Sequence, residues 1–84
     1  MASETVIQGT VTRDGQPEGG AYVRLLDSSG EFTAEVVTSP EGAFRFFAAP
    51  GSWTLRALSR GGNGELTLDA TVGVNEVSLS VAPA

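Results

Sequence analysis

Residues 41–57 read EGAFRFFAAPGSWTLRA and hold four of the six aromatic residues in an 84-residue chain. Phe44 and Phe46 stand two apart, so an extended strand places both rings on one face and Arg45 and Phe47 on the other. Pro50 has no amide donor and a fixed φ, so AAPG ends that strand. The next begins at Ser52 and alternates again, with Trp53, Leu55 and Ala57 on one side and Thr54, Arg56 and Leu58 on the other. Burying one phenylalanine contributes about 1.5–3 kcal/mol. Phe44, Phe46 and Trp53 are therefore expected to pack together as the middle of a small β protein. The alternative is a ligand platform, in which the same rings would face water.

The same alternation recurs on either side of this stretch. VIQGTVT (6–12) puts Ile7, Gly9 and Val11 together, and AYVRLL (21–26) puts Ala21, Val23 and Leu25 inward with Tyr22, Arg24 and Leu26 outward. FTAEVVT (32–38) is expected to turn Phe32, Ala34 and Val36 inward. ELTLDATV (65–72) does so with Leu66, Leu68 and Ala70, and VSLSV (77–81) with Val77, Leu79 and Val81. Turn chemistry separates the runs: Asp14-Gly15 and Gly19-Gly20 in RDGQPEGG, then DSSGE, then SPEG with Pro40, then the glycine-rich SRGGNG, read as the most flexible loop, then GVNE. Helical periodicity is absent. Seven short strands predict an all-β, antiparallel Greek-key sandwich. Its core is expected to include Val11, Val23, Leu25, Phe44, Phe46, Trp53, Leu55 and Leu79. One domain fills residues 1–84, with a core from about 6 to 81 and frayed ends at 1–4 and 82–84. A chain of this size buries only roughly 60–65% of the surface its unfolded form exposes.

Composition narrows the chemistry. The chain has no Cys and no His, and all five cations are arginine against ten acids, a net charge of −5. That excludes disulfides, thiolate metal sites and redox thiols, and leaves only oxygen ligands, suited to Ca²⁺ or Mg²⁺. DSSGE falls far short of a calcium loop, and GGNG lacks the lysine and helix of a phosphate loop. No cofactor and no metal are expected. Neither nucleic acid nor an anionic membrane is an expected partner, since both need clustered positive charge. No run approaches the ~20 apolar residues of a membrane span. MASETVIQG has no leader character, so a cytoplasmic location is expected; a secreted chain whose leader had been removed would read alike.

Several of these residues carry a resemblance. Gly9 and Val11; Gly20, Ala21 and Val23; Thr38, Gly42 and Phe44; and Pro50, Gly51, Trp53 and Leu55 follow the pattern of the transthyretin-like (prealbumin-like) sandwich. Within that group the chain is most similar to carboxypeptidase regulatory-like domains. Residues 21–59 also resemble the SseC-like family, small bacterial proteins of unknown function often encoded beside rhodanese-type thiosulfate sulfurtransferases. Members tend to carry an N-terminal extension with a Cys, which this sequence does not show. The resemblance implies a strand order that places Glu35, Arg24, Arg56 and Asp69 in one row on the outside of the larger sheet. It does not extend to catalysis. Hydroxyisourate hydrolases of this fold use histidines and a Tyr-Arg-Gly-Ser tail, whereas this chain ends SVAPA. Isopeptide-forming sandwiches need lysine, and a serine nucleophile needs a base that is missing here.

The outer face with Tyr22, Arg24, Leu26, Val37, Arg56 and Leu58 is then the candidate partner surface. The expected function is a non-catalytic interaction module. Its implied partner, a sulfurtransferase, comes from the family resemblance alone. Two alternatives are a carbohydrate-binding module, stacking sugars on Phe47, Tyr22 and Trp53, and a small enzyme of unidentified activity. A homodimer through an unpaired strand edge is a further expectation.

Overall fold

The computed structural model describes residues 4–83; the expected fraying of 1–3 and 84 lies outside that range. Eight strands follow in chain order: β1 (Thr5–Arg13), β2 (Gln16–Pro17), β3 (Tyr22–Leu26), β4 (Phe32–Val37), β5 (Ala43–Ala48), β6 (Gly51–Ser59), β7 (Gly62–Ala70) and β8 (Gly73–Ser80). Among the described residues there is no helix, and so none long and apolar enough to cross a membrane. The strands make two facing sheets. The larger has the order β4-β3-β6-β7; in the smaller, β1 lies between β8 on one side and β5 with β2 on the other.

The strand beyond the expected seven comes from the first turn. Asp14 (φ 53°) and Gly15 (φ 80°) form a two-residue loop, so Arg13 pairs with Gln16 and Thr12 with Pro17. Left-handed backbone at both loop positions matches the twist of a hairpin, and an Asp-Gly pair tolerates it. SRGGNG also differs from expectation. It is a tight two-residue loop, Arg60-Gly61, with Ser59 opposite Gly62 and both Gly62 and Gly64 already inside β7.

Every ladder is antiparallel except β1–β8, which is parallel from Thr5↔Gly73 to Thr12↔Ser80. The link after β7 crosses from the larger sheet to the smaller. β8 therefore starts at the end where β1 starts, and the Gly73 N–H donates to the Glu4 carbonyl (2.8 Å). At the other end the chain does not fray at residue 82, because Ala82 and Asn63 exchange two backbone hydrogen bonds of 3.0 Å across the two sheets.

Between the sheets lies one apolar cluster: Ile7, Val11, Ala21, Val23, Leu25, Phe44, Phe46, Leu55, Ala57, Ala70, Leu79 and Val81. Phe44 and Phe46 meet with ring centroids 6.1 Å apart, tilted at 55°. Trp53 corrects the expected trio in part. It packs against the cluster but is only half-buried, and its indole N–H donates to the Ala49 carbonyl (2.7 Å). A ring with one polar edge settles at the rim, where that edge finds an acceptor.

Phe32 was expected inside and is exposed. The register shifts between Leu25 and Leu26, so Leu25 faces Ala34 but Leu26 faces Phe32, with Thr33 as the extra residue. One bulged residue inverts the facing of all that precedes it on the strand. Leu26 is likewise buried rather than part of an open surface, flanked by Phe32 and Thr54 on the neighbouring strands, yet stands apart from the inter-sheet cluster.

Thr38 ties the upper end. Its hydroxyl accepts from the Ala21 N–H (2.9 Å) and donates to the Glu18 carbonyl (2.8 Å), while its own amide donates to the Ala21 carbonyl (2.8 Å). Thr38→Val keeps the shape but leaves a buried N–H without its acceptor, so it is expected to cost about 1–3 kcal/mol. Urea titration should show this loss and show most of it recovered in Thr38→Ser.

Candidate functional site

Three cross-strand rows make up the outer face of the larger sheet. The middle row runs Glu35–Arg24–Arg56–Glu65 across β4, β3, β6 and β7. The next runs Val37–Tyr22–Leu58–Asn63, and on the other side of the charges lie Phe32, Leu26, Thr54 and Thr67. The charged row ends in Glu65 and not in Asp69, which lies opposite Ser52. The tight Arg60-Gly61 loop decides this, because it brings Glu65 back beside Arg56. A hairpin signal was present in SRGGNG, but reading it as a loose loop hid the register.

The two ends of the row are ion pairs. Arg24 Nε donates to Glu35 Oε2 at 2.9 Å, and Arg56 Nε lies 3.5 Å from Glu65 Oε1. Both pairs are open to water, so each contributes only about 0.2–1 kcal/mol. Arg24 also stands over the Phe32 ring, 5.7 Å from its centroid. Together the rows form a shallow concavity of about 560 Å³ whose walls include Tyr22, Arg24, Arg56, Leu58, Asn63 and Glu65. Tyr22, Phe32, Val37 and Leu58 around it are each more than half exposed.

Of the six residues expected on this surface, Tyr22, Arg24, Val37, Arg56 and Leu58 lie on it, and Leu26 is covered. Phe32 was missed as a surface residue, since nothing in FTAEVV marks the bulge. The expected core residues Val11, Val23, Leu25, Phe44, Phe46, Leu55 and Leu79 are all buried. Phe47 is exposed, but on the smaller sheet beside Val6, and so on the opposite side of the molecule from Tyr22.

Two carboxylates elsewhere, Asp27 and Glu18, serve the fold. Asp27 Oδ1 accepts from the Ser29 hydroxyl (2.7 Å) and from the amides of Glu31 (3.0 Å) and Ser29 (2.9 Å), which together hold its carboxyl below the ordinary value. Glu18 is held low by the Ser59 hydroxyl and then by Arg13, whose Nε is 3.4 Å away. Among the described residues, no three Asp or Glu side chains converge to hold a metal ion. Both shifted groups release protons more readily when folded than when unfolded. Their contribution is present above the ordinary carboxylate range and is lost as pH falls through the lower folded values. Glu18→Gln with Asp27→Asn should therefore flatten the fall in Tm below about pH 4.5, as read by calorimetry across a pH series.

A two-sheet all-β module with an open amphipathic face is the class of protein defined by this geometry. The chain belongs to the family described as Protein of unknown function (DUF1416), whose model matches residues 1–81. It is 60% identical over 83 residues to Uncharacterized protein Rv0814c of Mycobacterium tuberculosis, covering 96% of this chain and 83% of that one. Uncharacterized protein Rv3118 of the same organism matches to the same extent. An uncharacterized protein of Mycolicibacterium smegmatis is 60% identical over 84 residues, covering 98% and 93%. Among solved structures, a DUF3823 family protein from Parabacteroides merdae superposes with a TM-score of 0.68 at 23% identity. The match covers 99% of this chain but 48% of that protein, so the chain spans about half its length, and the likeness is one of fold.

Proposed function

We propose that this protein is a non-catalytic interaction module that docks a partner protein on the outer face of its larger sheet. The observation that carries the reading is the ring of exposed Tyr22, Phe32, Val37 and Leu58 around the paired arginines. Aromatic, aliphatic and arginine side chains at one spot are what protein interfaces concentrate at their centres. The lack of Cys, His and Lys supports the non-catalytic part, since it removes the usual nucleophiles and bases. The SseC-like resemblance supplies the partner to test first, a rhodanese-type sulfurtransferase.

Immobilised full chain should capture that enzyme, and Tyr22→Asp or Leu58→Asp should each weaken capture at least about tenfold while Tm stays near that of the parent. Capture by the parent that both variants retain would sink the face as the docking site, and no capture by the parent would sink the sulfurtransferase. The carbohydrate reading is weakened by two placements. Phe47 and Tyr22 lie on opposite faces, and Trp53 is half-buried with its N–H engaged.

A further inference from the structure

The outer face of the smaller sheet has a different pattern, centred on β1. One row is apolar, Phe47–Val6–Val74, with Phe47 and Val74 each 65% exposed. The next row is Arg45–Gln8–Glu76, a relay in which Arg45 Nε donates to Gln8 Oε1 (3.0 Å) and Gln8 Nε2 donates to Glu76 Oε1 (3.0 Å). Beyond it, around Thr10, the residues are small and uncharged. The charge is antisymmetric about β1, positive on the β5 side and negative on the β8 side.

We propose that this face binds a second copy of the same chain, face to face, about a twofold axis running along β1. That operation exchanges the two flanks. Arg45 of each copy then meets Glu76 of the other, Phe47 meets Val74, and Gln8 and Thr10 each meet their own equivalents, while Val6 stays buried within its own chain. Within the relay Arg45 uses its Nε and Glu76 one oxygen, which leaves guanidinium N–H groups and a second carboxylate oxygen for the copy opposite. A self-complementary patch is what a twofold interface requires. The larger sheet lacks this property. Its row Glu35–Arg24–Arg56–Glu65 is symmetric, so the same operation would set arginine on arginine and acid on acid. One face thus suits a copy of the chain and the other an unlike partner. Three strands of about eight residues offer roughly 400 Å² per copy, below the ~800 Å² per partner of a standard interface. The dimer is therefore weak and concentration-dependent.

Sedimentation equilibrium of the full chain, in a series reaching the millimolar range, should show monomer and dimer in exchange. Glu76→Arg should weaken the dimer at least about tenfold by setting arginine against arginine. The double swap Arg45→Glu with Glu76→Arg should restore it. Thr10→Cys gives a second readout in a chain without native thiols. Mild oxidation should cross-link it as a dimer, whereas Leu58→Cys on the opposite face should stay largely monomeric. If Glu76→Arg does not fold, the cross-linking comparison decides alone. A chain monomeric throughout the series, or a dimer that Glu76→Arg leaves intact, as one built on a strand edge would be, overturns the proposal.

Discussion

Gly9→Ala is expected to destabilise the protein by about 3 kcal/mol or more. A Cβ at this position would overlap the carbonyl of Val77. That atom is backbone of the parallel neighbour β8, so no side chain can swing away to make room. Relief requires β1 and β8 to separate, and with them the ladder that joins the last strand to the first. A domain of this length has roughly 4–13 kcal/mol of total stability. The substitution should therefore lower Tm by at least roughly 12 °C or prevent folding at physiological temperature. Thr10→Ala, next in the strand and exposed, is the control and should shift stability by no more than about 0.5 kcal/mol. Calorimetry on the pair decides the matter. An unchanged Tm in Gly9→Ala would mean that β8 does not run against β1 as described.

Leu55 and Leu58 lie on one strand, three residues apart, and should behave in opposite ways. Leu55 is fully buried between Leu25 on β3 and Leu66 on β7. Leu55→Ala removes buried methyl groups and leaves a cavity in a small core, so a loss of about 2–5 kcal/mol is expected. Leu58 is 57% exposed on the outer face. Leu58→Ala should cost no more than about 0.5 kcal/mol, yet weaken any partner that docks there. Chemical denaturation of the two variants separates these outcomes. A large stability loss in Leu58→Ala would show that the face is covered within the folded chain, and the docking proposal would fall with it.

The resemblance implied the strand order of the larger sheet, and the strand alternation supplied the burial of Phe44, Phe46 and Leu55. Period-two alternation is a local property, and it survives because each strand has one wet face. The charged row was half legible. Glu35, Arg24 and Arg56 followed from that strand order, but Glu65 depended on a loop only two residues long. Phe32 failed for a related reason. A bulge is one extra residue in a ladder, and only the partner strand reveals which residue is extra.

The sequence by itself determined the all-β class, the two-faced strands and the absence of the side chains that most catalysis uses. These rest on composition and on near-neighbour spacing, which chain geometry converts directly into facing. Only the tertiary structure decided the register of β6 against β7, the bulge in β4 and the parallel docking of β8 on β1. Each of those is a pairing between segments distant in the chain or shifted by one residue. The free energy that selects it comes from contacts that exist only once both sheets have closed.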